Sequence, residues 1–138
     1  MDQLAFNCVP IGVVESPYKT LKETPLAGRE VVEESVIRIF PEYRECIYGL
    51  DEVQHIYVIC WLHEAKRDVL KVHPRHDTTL QIVGVFCSRS PERPNPISMC
   101  FVDVHEISDD TITVTGLDIL DGTPVLDIKP FIEHYDTE

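Results

Sequence analysis

A mostly-β fold, a small β-barrel with one or two short helices, follows from three observations. Short β-branched and aromatic runs recur along the 138 residues. Gly, Pro and Asx clusters separate those runs, the punctuation expected of an all-β chain. No predicted strand leads into a glycine-rich turn followed by a helix, so a Rossmann-type dinucleotide or cofactor fold is not expected. A sandwich would use the same kind of strands. The length suits one domain, residues 1–138, with a core that needs no staples.

The elements follow in order. VPIGVV (9–14) reads as a strand stopped by Ser16-Pro17, and 19–30 as a loop broken by Pro25 and Gly28. VVEESVIRIF (31–40) ends in a strand before Pro41. PEYRECIYGL predicts a short helix, with Pro41 near its start, Glu42 in its first turn and Gly49 just past its end. HIYVICWLH (55–63) is apolar at nearly every position and predicts a fully buried central strand. VLKVH (69–73) predicts a weaker strand, while LQIVGVFCS (80–88) and ISMCFVDVHEI (97–107) predict strong ones. TITVTGLDI (111–119) alternates, with Thr111, Thr113 and Thr115 on one face and Ile112 and Val114 on the other. Asp109-Asp110 turns the preceding strand into this one, and PVLDIKPFI (124–132) is the last strand.

Composition narrows the class. Hydrophobic residues make up 43% and charged residues 26%, the balance of an ordered globular chain. No apolar run reaches membrane-spanning length, and MDQLAFNCVP has no basic stretch or apolar core of a signal peptide, so the expectation is cytoplasmic. The five cysteines, Cys8, Cys46, Cys60, Cys87 and Cys100, form no CxxC pair, which speaks against a disulfide framework or a zinc site. His73-Pro74-Arg75-His76 has HxxH spacing, but Pro74 spoils helical geometry. His55 and His63, eight apart on one predicted strand, share a face but cannot share an ion, and no metal is expected. The net charge of −12 argues against general nucleic-acid binding. It is unevenly distributed: residues 63–93 carry six Lys/Arg against four acids. A polyanion, if bound, belongs there.

Two constellations carry chemistry. From Arg89 to Pro96 the chain places two arginines among three prolines. Each proline fixes its own φ and biases its predecessor toward extended geometry, so Pro94-Asn95-Pro96 is nearly rigid. Rigidity lowers the entropy lost on ligand binding. The planar forks of Arg89 and Arg93 suit a carboxylate or phosphate, and Asn95 adds an amide. The same loop is also readable as a stiff connection whose arginines pair with surplus acids. The second constellation is LDILDGTPVLDIKP (117–130). Asp121-Gly122 marks a tight turn, and a carboxylate on such a turn suits a ribose diol. A hairpin turn with solvated acids fits the same residues. Lys129 is either a salt-bridge partner or a phosphate contact.

GVFCSRSPERPNPI followed by LDILDGTPVLDIKPFI resembles the signature of the TsaA-like, or YaeB-like, family, whose studied members are tRNA methyltransferases of the TrmO type. IGVVESPYK and GLDEVQHIYVICWLH match as well, so the resemblance runs over roughly residues 10–132. The resemblance implies a SAM-binding β-barrel that works as a homodimer and uses S-adenosyl-L-methionine. The implied reaction is methylation of N6 of N6-threonylcarbamoyladenosine at position 37 of a tRNA anticodon loop. The implied cofactor contacts are Arg89, Met99, Ile119, Leu120, Asp121 and Gly122. Gly28, Arg29 and Glu30 of the loop after Pro25 join them, with His63, Glu64, Lys66 and Arg67 after the central strand. Arg93, Asn95 and Lys129 are expected to face substrate. Asp118 and Asp121 are the candidates for the catalytic base. CSR stands where the family usually has ATR, Ser98 where it has Gly, and TPLAGRE where many members have a PRQ-like triplet. Two other readings stand beside this one: a methyltransferase for a small molecule, which the acidic balance favours, and a SAM-binding module without activity.

Overall fold

The computed structural model describes residues 4–24 and 32–138. Its strands are β1 (Gly12–Glu15), β2 (Glu34–Ile39), β3 (His55–Trp61), β4 (Lys71–Val72), β5 (Val83–Gly84), β6 (Ile97–Ser108), β7 (Thr111–Thr115) and β8 (Pro124–Pro130), followed by a one-turn helix α1 (Glu133–Asp136). Six of them close into an antiparallel barrel in the order β1-β2-β7-β6-β3-β8, with β8 returning to β1. The other two, β4 and β5, form a two-stranded ribbon. The expected β-barrel without a βαβ unit is therefore the observed architecture.

A closed barrel has one interior, so each strand buries alternate residues only. Val14 of β1, Ile37 and Ile39 of β2, Ile56, Val58 and Cys60 of β3, Val102 of β6, Ile112 and Val114 of β7 and Val125 of β8 point inward and are buried. β7 alternates as expected, with Ile112 and Val114 inside and its threonines on the outer side. β3 departs from expectation. It is not buried on both faces: Tyr57, Ile59 and Trp61 lie on the outer wall and are only half-buried. Its unbroken apolar run has another cause. His55, Tyr57, Phe101 and Phe131 make an aromatic cluster outside the barrel, with ring centroids 5.2 to 6.4 Å apart.

Two bulges adjust the phase. The β6–β7 register slips between Val104 and Glu106, which turns both Val104 and Ile107 onto the core. The β3–β8 register slips between Ile59 and Cys60.

The strand expected over 80–88 is mostly absent. Only Val83 and Gly84 pair, with Val72 and Lys71, and Val85–Cys87 is a turn of 3-10 helix. β-branched sequence forms strand only where a partner edge exists, and this ribbon has one short partner. The expected helix at Pro41 is a 3-10 helix over Pro41–Ile47, and Gly49 takes a left-handed φ of 86° just beyond it. Strand bounds elsewhere lie within a few residues of expectation. Ile11 already donates its N–H to the Val125 carbonyl at 2.8 Å, ahead of β1 proper.

Gly12 is the tightest point of the wall. A Cβ there would run into the carbonyl oxygen of Arg38, a backbone atom that no rotamer change can move. Gly12→Ala is expected to destabilise the fold by about 1–3 kcal/mol, the usual cost of overpacking. Urea denaturation of the variant beside wild type measures it, and an unchanged midpoint would show that the β1–β2 contact yields freely.

Candidate functional site

The antiparallel registers bring six strand ends to one rim: the ends of β1, β3 and β7 and the starts of β2, β6 and β8. Chain segments 16–33, 62–96 and 116–123 leave from that rim, and both constellations of the sequence lie on it. β6 rises highest. Its pairing with β7 starts at Asp103, so Ile97 stands six residues, about 20 Å, further along.

Segment 116–123 closes the mouth. Gly116 takes a φ of 95°, a left-handed conformation that ends β7 and sends the chain over the barrel. Leu117 and Ile119 drop into the interior and are buried. The plug is sewn to the chain after β1. Ser16 Oγ donates to the Ile119 carbonyl at 2.7 Å, Asp121 N–H to the Tyr18 carbonyl at 2.7 Å, and Gly122 N–H to the Val14 carbonyl at 2.8 Å. Thr123 Oγ1 closes the turn on the Leu120 carbonyl at 2.7 Å. Asp121 is part of this stitching. One carboxylate oxygen accepts the Ser16 N–H at 2.9 Å and the other pairs with Lys19 at 3.2 Å. Gly122 makes the turn with a φ of 85°.

Asp118 is half-buried between the two plug residues. Its carboxylate accepts the Cys100 thiol at 3.5 Å. Burial raises its pKa above the ordinary value of 3.8, because the low-dielectric surroundings disfavour the carboxylate. Burial also pushes the Cys60 thiol up to about 12 and that of Cys100 well above its usual value. Neither thiol is a nucleophile at neutral pH.

The loop of prolines is fastened by two arginines. Arg93 turns inward: Nη1 donates to the carbonyls of Ser88 at 3.1 Å and Ser90 at 2.9 Å, and Nη2 to that of Val85 at 2.9 Å. Arg67 reaches across from the 62–67 segment. Its Nε donates to the Pro94 carbonyl at 2.8 Å and its Nη2 to Asn95 Oδ1 at 3.0 Å, while its guanidinium lies 5.1 Å from the centroid of Trp61. Backbone bonds from Arg93 to Lys66 and from Leu62 to Pro96 complete the seam, and Pro96 is fully buried. Arg89 sits on the same loop, exposed, with no hydrogen bond or ion pair to another described residue.

The rim therefore gathers Arg89, Arg93, Asn95, His63, Glu64, Lys66, Arg67, Asp118, Ile119, Leu120, Asp121 and Gly122. Met99 faces out of the wall beside it, opposite Ile59 and 46% exposed. Lys129 lies apart: it stands on the outer wall in register with Tyr57 and pairs with Asp127 at 3.2 Å. Gly28, Arg29 and Glu30 fall outside the described residues. Ser16, Tyr18, Lys19 and Trp61 hold the site together and were not expected to. The visible signal was Ser16-Pro17, which marks a turn without saying what the hydroxyl reaches. Among the described residues no group of His, Cys, Asp and Glu is arranged to hold a metal ion, and no helix is long and apolar enough to cross a membrane.

A closed antiparallel barrel plugged at one mouth, with a stiff arginine-bearing loop on that rim, is the frame of a barrel-type ligand-binding domain. The family model for the tRNA-methyltransferase O N-terminal domain matches residues 13–137, and the chain belongs to that family. A probable S-adenosyl-L-methionine-binding protein of Methanothermobacter thermautotrophicus is 46% identical over 99% of this chain and 98% of its own length. An S-adenosyl-L-methionine-binding protein of Archaeoglobus fulgidus is 43% identical over 92% of this chain and 90% of its own. Among solved structures, TrmO from Pseudomonas aeruginosa superposes with a TM-score of 0.80 at 27% identity over 99% of this chain. The chain spans 59% of the length of that structure.

Arg93 and Arg89 should separate sharply in a stability test. Arg93→Ala strands the carbonyls of Ser88 and Ser90, while that of Val85 keeps the Ser88 N–H, and is expected to cost about 1–3 kcal/mol, with faster amide hydrogen exchange over residues 85–95. Arg89→Ala should stay within about 0.5 kcal/mol of wild type. Equal losses in the two variants would mean that Arg89 also carries the loop.

Asp118 should leave a mark on the pH dependence of stability. Its folded pKa is raised, so the native state binds its proton more tightly than the unfolded chain does. That contribution is fully present below the unfolded value near 3.8 and is lost as pH rises through the folded value. Asp118→Asn cannot ionise. Its melting temperature relative to wild type should climb between pH 4 and pH 7, on the order of a few degrees. A difference that is flat across this range would show that the carboxyl is not desolvated.

Proposed function

We propose that this chain is an S-adenosylmethionine-dependent methyltransferase that acts on N6 of N6-threonylcarbamoyladenosine at position 37 of the tRNA anticodon loop. The observation that carries the reading is the family match over residues 13–137, a span that includes every segment of the rim. The names of the two archaeal relatives, both S-adenosyl-L-methionine-binding, support the cofactor.

The donor set suits that cofactor. Its methionyl carboxylate calls for an arginine with uncommitted N–H groups, and Arg89 is exposed on a rigid loop. Its ribose diol calls for a two-oxygen acceptor. Asp121 has engaged each oxygen once, and a carboxylate offers about four lone-pair sites. Gly122 beside it carries no Cβ to crowd a ligand. Ile119, Leu120 and Met99 supply apolar flank. His63, Glu64, Lys66 and Arg67, together with Gly28, Arg29 and Glu30, complete the set in this reading.

The bound cofactor supplies a methyl carbon already activated for attack. What remains for the chain is positioning and one proton. The loop pinned by Arg67 and Arg93 holds Arg89 still. Methylation replaces the N6 proton of the substrate, and Asp118 is the acceptor in this reading: its raised pKa gives it a higher proton affinity than an ordinary carboxylate. Asp121 is the second candidate. Asn95 keeps its amide N–H groups for substrate while its Oδ1 serves Arg67. Arg93 acts on substrate through the shape of the loop. Lys129 contributes at the outer wall, where a partner subunit or the substrate reaches it.

The working unit is a homodimer in the cytoplasm. Leu117 and Ile119 fill the mouth, so the cofactor lies outside the barrel and needs a further wall. Ile97 and Met99, each 46% exposed beside the rim, offer the surface for a second copy to provide it.

Arg89→Ala should weaken S-adenosylmethionine binding by about 1.5–3 kcal/mol in a calorimetric titration, the loss of a charge-assisted hydrogen bond. Unchanged affinity would remove Arg89 from the site. Mass spectrometry of tRNA nucleosides from a deletion strain tests the substrate: loss of the N6-methylated threonylcarbamoyladenosine is expected. Cofactor turnover without that loss would leave the small-molecule reading, which the net charge of −12 favours. Binding without any turnover would leave a cofactor-binding module.

A further inference from the structure

Between β3 and β6 the chain makes an excursion, residues 62–96, that starts and ends at the site rim. Its tip carries the ribbon β4–β5 and the turn between them. Of the six cations in residues 63–93, Arg67 and Arg93 are spent on the loop itself. Lys66, Lys71, Arg75 and Arg89 are exposed and make no hydrogen bond or ion pair with another described residue. Lys66 and Arg89 stand at the base of the excursion, and Lys71 and Arg75 lie further out. Of the four acids, Asp77 is exposed beside Arg75, whose charge acts on it, and the Thr79 N–H and hydroxyl donate to its Oδ1. Glu64, Asp68 and Glu92 remain. In a chain of net charge −12 this concentration of exposed cations is not what solubility requires.

Two further features point the same way. Arg75 and His76 hold consecutive left-handed conformations, with φ of 56° and 59°. Non-glycine residues adopt these at a cost, and such strain persists where the surroundings impose it. Here His73 Nδ1 bonded to the Leu80 carbonyl at 2.9 Å and the N–H groups of His76 and Asp77 bonded back to His73 and Pro74 impose it. The result is a stiff turn that presents Arg75. Phe86, on the 3-10 turn just before the proline loop, is 88% exposed. A bare ring three residues before Arg89 suits stacking on an unpaired base.

We propose that this excursion is the RNA-docking arm of the protein, with Lys71 and Arg75 on phosphates and Phe86 under an unpaired base of a loop. The proposal rests on the tRNA reading above and adds the surface that makes it physically feasible for an acidic protein. A single-stranded or loop RNA fits better than a duplex, because a duplex offers no base face to Phe86.

The test uses the full chain with S-adenosylmethionine and a fluorescent RNA hairpin whose loop contains adenosine, read by anisotropy across a salt series. Lys71→Glu with Arg75→Glu should weaken binding at least tenfold. It should also flatten the slope of log affinity against log salt by roughly 1.4–1.8, about 0.7–0.9 for each lost phosphate contact. Phe86→Ala should weaken binding roughly fivefold or more without changing that slope. Arg44→Glu at the opposite end of the barrel, set against Lys71→Glu alone, which makes the same change of charge, is the control for net charge. The proposal falls if the arm variants bind like wild type, if they lose no more than the Arg44 variant, or if wild type does not bind the hairpin. It falls too if the arm variants change from dimer to monomer by light scattering at unaltered RNA affinity, since the arm would then be a contact between copies. Calorimetry with the cofactor on the same variants keeps the two readings apart. Failure of the arm leaves S-adenosylmethionine binding intact, and absence of cofactor binding defeats the methyltransferase without touching the anisotropy result.

Discussion

Closure of six strands on a single interior is the constraint from which the rest of the structure follows. A barrel this small is filled by its own side chains. One row per strand meets inside, where Val14, Ile37, Ile56, Val58, Val102, Ile112 and Val114 exclude solvent completely. Those side chains occupy the interior, and the candidate site lies at a rim, on the connections. The same closure turns Tyr57, Phe101 and Phe131 outward, where they cover each other because the interior cannot take them.

At the rim, polar bonds replace packing as the organising force. The plug over Leu117 and Ile119 is held to the chain after β1 by the Ser16 hydroxyl on the Ile119 carbonyl, the Ser16 N–H on the Asp121 carboxylate and the Lys19–Asp121 ion pair, and Thr123 closes its turn on Leu120. The proline loop is held by Arg67 and Arg93, which satisfy carbonyls that a chain without regular structure would otherwise leave bare. Two arginines of one short stretch thus do opposite things. Arg93 lends its donors to the backbone, while Arg89 is exposed and makes no hydrogen bond or ion pair with another described residue. A preorganised loop loses less entropy on binding, which is the physical reason to spend one arginine on fixing another.

Electrostatics divides the molecule in the same sense. The barrel body carries the acidic excess, and residues 63–93 run against it with more cations than acids. Desolvation adds a local effect at the plug, where Asp118 and Cys100 share one hydrogen bond and burial raises the pKa of both.

Much of this was legible in the residues. The turn punctuation and the Thr/Ile alternation of 111–115 indicate strands because side-chain period and backbone geometry are local properties. The two motif stretches mark the rim segments, and the family resemblance holds over nearly the whole chain. Three things were decided only in three dimensions. The apolar run of β3 looks buried on both faces, but barrel closure gives it one inside face and an aromatic cluster outside. The run over 80–88 has strand composition without a strand to pair with, so it stops after Gly84. Arg89 and Arg93 are indistinguishable as letters. Which one turns inward depends on where the carbonyls of Val85, Ser88 and Ser90 point, and that is set by contacts between segments far apart in the chain, which no local pattern encodes.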